Sequence, residues 1–127
     1  MKRVTQLTAM MMVLLAFGCA SLRNTAEKTA VATANTVEYA RQAWIAHANT
    51  GAVTEIEHAQ VREVYEQYQG AMAVYESVLL TYRANPDDDL LTASLKATTA
   101  SASRFVSLIQ SLLPPAEAAK IPNVKTQ

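Results

Sequence analysis

The chain has 127 residues, with 11 basic and 11 acidic side chains and no formal net charge. That balance excludes the clustered excess of positive charge on which a general nucleic-acid binder depends. A single cysteine leaves no internal disulfide, and only three glycines (Gly18, Gly51 and Gly70) disfavour a sheet-rich fold with many tight turns. The length suits one small domain held by packing alone.

Lys2 and Arg3 open the chain, Leu7 to Phe17 is mostly apolar, and small Gly18 precedes the sole cysteine, Cys19. This is the three-part pattern of a secretory signal. The apolar part is eleven residues, well short of the roughly 20 that a helix needs to span a bilayer. Residues 1–18 are therefore expected to be a signal peptide. The stretch Leu14-Leu15-Ala16-Phe17-Gly18-Cys19 resembles the lipobox of bacterial lipoproteins. It departs from the family in carrying Ala16 and Phe17 where Leu and a small residue are usual, with Leu15 one place early. The resemblance implies cleavage between Gly18 and Cys19, acyl chains on Cys19 and attachment to a membrane. Ala20, standing where the enterobacterial family has Asp in inner-membrane members, implies the outer membrane, facing the periplasm. The alternative is ordinary cleavage after Gly18, since Ala16-Phe17-Gly18 is small-x-small, leaving a free thiol at Cys19. Either way 109 residues remain, with 9 basic side chains against 11 acidic ones.

Residues 19–24 read as a tether. Asn24, with Glu27 three residues on, predicts a capping box at the start of a first helix over about 25–49. Ala30, Ala34, Val37, Trp44 and Ala48 share one face of it, with Val31 and Ile45 beside them. Asn49-Thr50-Gly51 ends it, Gly51 suiting the left-handed conformation after a last turn.

Thr54 and Glu57 predict a second capping box and a helix over about 54–84. Val61, Val64, Tyr68, Ala71, Tyr75, Val78 and Tyr82 alternate spacings of three and four, and Tyr65, Met72 and Leu79 add a second row at intervals of seven. A stripe this broad predicts two packing partners for this helix. Pro86 disfavours a helical Asn85 and so stops it. Asp87-Asp88-Asp89 starts a third helix over 88–113, its charge favourable at the positive end of the dipole. There Leu91, Leu95, Thr98, Ala102, Phe105, Ile109 and Leu112 repeat the same alternation, widened by Leu108 and Leu113. Pro114-Pro115 stops this helix, and 114–127 is expected to be a flexible tail.

The fold class expected is all-α: an antiparallel three-helix bundle over 25–113, with helices roughly 40 Å long. The first turn and the tail's origin fall at the end far from Cys19, from which the tail would reach outward. No cofactor or metal is implied. His47 and His58 flank the first turn with Glu55 and Glu57 nearby, but a zinc site wants three or four ligands at definite spacing. The Asp87–Asp89 run lacks the alternating ligands of a calcium loop. The serines and threonines of helix three lie in no nucleophile context and make a polar face open either to docking or to solvent. No acid, base and nucleophile set marks an enzyme. His47, His58 and Tyr65 are the candidate partner surface.

Gly18-Cys19-Ala20-Ser21-Leu22-Arg23-Asn24-Thr25-Ala26-Glu27-Lys28-Thr29 and Val61-Arg62-Glu63-Val64-Tyr65-Glu66-Gln67-Tyr68-Gln69-Gly70-Ala71-Met72 resemble small helical lipoproteins of bacteria and prophages. That resemblance implies no particular reaction. It implies a lipid-anchored module of the cell envelope whose partners are the membrane, through Cys19, and an envelope protein or peptidoglycan. The other function class it admits is a prophage-derived factor for superinfection exclusion or lysis.

Overall fold

The chain changes direction where its sequence places the helix stops. The computed structural model describes the backbone of residues 2–125 and the side chains of residues 22–125. The elements are α1 (Lys2–Ala48), α2 (Glu55–Thr81), α3 (Asp88–Leu112) and a short α4 (Pro115–Ala118), with no strand among the described residues. After α1, Gly51 takes φ 77°, the left-handed conformation that costs glycine nothing. Thr54 caps α2 in a full capping box: its hydroxyl accepts from the Glu57 N–H at 3.2 Å, and the Glu57 carboxylate accepts from the Thr54 N–H at 2.9 Å. Asp87 caps α3 by accepting from the Leu90 N–H at 2.9 Å. Tyr82, just past α2, donates its hydroxyl to Asp88 and ties the second turn shut. The predicted ends of α2 and α3 fall within three residues of those observed.

The start of the first helix differs from expectation. Asn24 is no cap: α1 runs unbroken through it and through the predicted tether, and Glu27 instead accepts from Arg23 Nε at 3.2 Å. The reason is apolar continuity, since Ala26 is buried and Leu22 packs beside it against the core, one turn upstream of the predicted start. The cleavage and lipidation expected at Gly18 and Cys19 lie outside the residues whose side chains are described. Among the described residues, no helix is long and apolar enough to cross a membrane.

The three long helices form the expected all-α bundle, with α3 in the middle. It lies close against both α1 and α2, whereas α1 and α2 scarcely approach each other along their backbones. The helix with two close partners is thus α3, not α2. Small residues make this possible, because Ser94, Thr98, Ser101 and Ala102 are all buried and let neighbouring backbones come near. The hydroxyl face of α3 therefore belongs largely to the interior: Thr99 is buried too, and Thr98 is fully so. Helical Ser and Thr can satisfy their hydroxyls locally; Ser94 donates to the Leu91 carbonyl, and Thr98 to the Ser94 carbonyl. Only Thr92, Ser107 and Ser111 of that face are exposed.

The apolar core forms two clusters along the bundle. One gathers Val37, Ala40, Trp44, Tyr68, Phe105 and Ile109 toward the first turn. The other gathers Ala26, Ala30, Tyr75, Tyr82, Leu91 and Leu95 toward the second. Met72 packs against both. On α1 the buried face runs Ala26, Ala30, Thr33, Val37, Ala40 and Trp44, narrower than expected, so Val31 and Ile45 stand exposed.

The C-terminal segment is folded, not free. Pro115 opens α4 at the position where a missing N–H costs nothing. Ile121 is 4% exposed within the first core cluster, and Val124 packs against that cluster. Gln110 Nε2 donates to the Ile121 carbonyl and to Asn123 Oδ1, both at 3.2 Å. One aliphatic side chain and one amide clamp thus lay residues 121–125 back along the bundle instead of outward from it.

Candidate functional site

With α3 packed on one side, the facing sides of α1 and α2 form a long seam. On α1 the positions are Glu27, Ala34, Arg41 and Ala48; on α2 they are His58, Tyr65, Met72 and Leu79, running the other way. Both rows step by seven, the interval that keeps side chains in line along one side of a helix. Seven of the eight residues are half-buried, and His58 is exposed.

At the first-turn end, Trp44 is buried and carries a histidine on each side. Its ring lies 6.1 Å from that of His47 and 5.7 Å from that of His58, the latter edge-on. Both histidines thus pack against the one indole. Among the described residues, no group of three or more His, Cys, Asp or Glu side chains is placed to hold a metal. His47 is half-buried and His58 exposed.

Tyr65 lies two turns further along α2 and belongs to the core rim, not to the histidine patch. Its ring packs 5.3 Å from Phe105 and 6.2 Å from Tyr68. The Arg41 guanidinium sits 5.8 Å above it, within cation–π range, while also donating to Glu38 at 3.2 Å. Neighbouring Tyr68 is pushed up to about 12, first by burial and then by the negative charges of Tyr65, Glu76 and Glu38.

Toward the second turn the seam widens into a groove of about 360 Å³. Ala30, Val31 and Ala34 of α1 face Met72, Tyr75 and Leu79 of α2, with Glu27 and Glu76 at the edges. Alanines on α1 leave the space; Val31, 60% exposed, lines its mouth. Tyr75 lies beneath, 2% exposed, and its hydroxyl has no hydrogen-bond partner among the described residues. Burial, with the nearby Glu27 carboxylate, raises the Tyr75 phenol above its ordinary value, and Arg23 opposes that shift.

Of the predicted partner surface, His58 and Tyr65 lie on the seam and His47 beside its end. The α1 half was not singled out from the sequence, because Ala34 and Ala48 read as ordinary core and Arg41 belongs to no apolar pattern. The steps of seven at 27, 34, 41 and 48 match those at 58, 65, 72 and 79 only once the two helices are set side by side. Comparison of the chain with protein-family models, with curated proteins and with solved structures finds no match.

Proposed function

We propose that this chain is a lipid-anchored interaction module of the bacterial cell envelope, held at a membrane through Cys19, that receives a helical segment of another envelope protein along the α1–α2 seam. On this reading it performs no catalysis; its work is to present a surface at a fixed distance from the membrane. The observation that carries the proposal is the seam itself. Two antiparallel rows at intervals of seven, half-buried and mostly apolar over their lower half, offer the kind of surface on which an amphipathic helix lays its own apolar stripe. Three packed helices with one open side between two of them lack the fourth that would close a bundle.

The test is photocrosslinking in the native envelope. A photoreactive residue at Val31 or Glu76, both on the groove, should trap one defined protein, whereas the same residue at exposed Arg104 of α3 should not. Equal trapping at all three positions, or trapping at Arg104 alone, would remove the seam from consideration. The anchor is tested apart from it: Cys19→Ser should abolish incorporation of a labelled acyl precursor, and a wild-type chain that takes up no label would refute anchoring.

A further inference from the structure

We propose that the recess between α1 and the C-terminal segment is a binding site for a phosphate group carried on a small organic body. The recess has a volume of about 470 Å³, inside the range of roughly 300–1,000 Å³ usual for small-molecule sites. Lys28, Thr33 and Thr36 of α1 form one wall, and Pro122, Asn123 and Lys125 form the other. It exists only because Ile121 and Gln110 hold the segment against the bundle.

The chemistry of the lining is one-sided. Lys28 and Lys125 each bring an ammonium, and neither is in an ion pair or hydrogen bond among the described residues. Among the described residues, no carboxylate lines the recess. Thr33 is 3% exposed, yet its hydroxyl makes no hydrogen bond among the described residues. The Thr33 oxygen is not cut off from solvent, so it opens onto the recess and can donate there. Asn123 spends its Oδ1 accepting from Gln110, which turns its Nδ2 donors to other use. Two cations, a hydroxyl and an amide N–H₂ thus converge with no opposing acid, a donor set that fits an oxyanion with several acceptor oxygens. The recess exceeds what a bare phosphate fills, and Ala32 and Pro122 provide apolar surface for the remainder of the ligand. A bound phosphate would bridge Lys28 to Lys125 and lock residues 121–125 onto α1.

A soluble phosphate ester and a phospholipid headgroup share this chemistry, so the experiment has two arms. Full-length protein is titrated with glycerol 3-phosphate in neutral detergent. Separately, it is reconstituted into phosphatidylglycerol vesicles and compared with vesicles of a glycolipid that lacks phosphate. Amide hydrogen exchange at residues 33, 121 and 123–125 is followed in both. Slowed exchange with the soluble ester assigns a free phosphorylated compound; slowed exchange in the phosphatidylglycerol vesicles alone assigns a headgroup. In either case Lys28→Gln and Lys125→Gln should each weaken the effect about tenfold. Both residues are exposed, so the melting temperature should not move. Unchanged exchange in both arms, or the same protection in the double variant as in the wild type, overturns the proposal.

Discussion

Thr98 Oγ1 shares its one proton between the Ser94 carbonyl of its own helix at 2.9 Å and the Ala71 carbonyl of α2 at 3.1 Å, the latter a contact across 27 residues of sequence. It sits where the two apolar clusters meet, and it shows how closely α3 approaches α2. The carbonyl is already committed to its own helix, so the hydroxyl adds a second bond in a fully buried place. Thr98→Val keeps the shape and removes the donor. It should cost about 0.5–1.5 kcal/mol, read as a lower denaturation midpoint with unchanged slope. Thr98→Leu should cost about 1–3 kcal/mol by forcing the helices apart. Thr92→Val, at an exposed position of the same helix, should fall within about 0.5 kcal/mol of wild type.

The largest losses belong to the deepest side chains. Phe105 and Ile109 are 1% and 0% exposed. Phe105→Ala should cost about 3–5 kcal/mol and Ile109→Ala about 2–5 kcal/mol, against under about 0.5 kcal/mol for exposed Arg62→Ala or Lys96→Ala. Thermal melts of the four variants check this, and similar shifts in both pairs would mean the buried faces are wrong.

The parts of the fold legible in the sequence are those that obey a local rule. Thr54 and Glu57 pair across one turn, Gly51 adopts the conformation only glycine takes freely, and the Tyr68–Tyr75–Tyr82 stripe repeats often enough to fix a buried face. What escaped depended on distant partners. Asn24 has every local mark of a cap, but Leu22 and Ala26 find the core of α3 and carry the helix past it. Ser94 and Thr99 read as part of a polar face open to docking or to solvent, yet small size lets them pack inside, whereas Thr98 already stood on the apolar alternation. Ile121 is one aliphatic residue in a polar stretch, too little for a pattern, yet enough when Gln110 waits eleven residues back to hold its carbonyl. The seam was half visible, since the row on α2 shows in the sequence while its match on α1 emerges only when the helices are set side by side.

Ile121 should prove the anchor of the C-terminal segment. Ile121→Ala removes most of a buried aliphatic side chain, at a cost of about 2–5 kcal/mol if the segment stayed in place. The segment can instead detach, so the loss should stop near the low end of that range. Hydrogen exchange distinguishes the two responses: residues 121 and 123–125 should lose protection selectively while α2 and α3 keep theirs. Uniform loss across all three helices would show that the segment is integral to the bundle's cooperativity.

Tyr75 is a place where less polarity should mean more stability. Its hydroxyl is buried with no partner among the described residues, and an unsatisfied buried donor costs about 1–3 kcal/mol. Tyr75→Phe removes that cost and keeps the ring against Ala30 and Leu79. The variant should match or exceed the wild type by about 1 kcal/mol in denaturant titration. A clear loss of stability would mean that the hydroxyl has a partner, water included.

Tyr68 gives the bundle a defined alkaline limit. Burial, with Tyr65, Glu76 and Glu38 around it, lifts the phenol from its ordinary 10.0 to about 12. The folded chain therefore keeps this proton at a pH where the unfolded chain releases it. Below pH 10 the phenol is neutral in both states and the stabilisation is fully present. As pH rises from 10 toward 12, the unfolded state binds fewer protons than the folded one, and stability falls with pH. Above about 12 both states are ionised and the loss levels off. Tyr68→Phe has no proton to lose at this site, so its stability should decline less steeply over the same interval, although it starts lower where the hydroxyl contributes. Equilibrium denaturation at half-unit steps from pH 8 to pH 12 measures the two slopes. Parallel curves would show that other groups carry the alkaline transition and that the phenol titrates near its ordinary value.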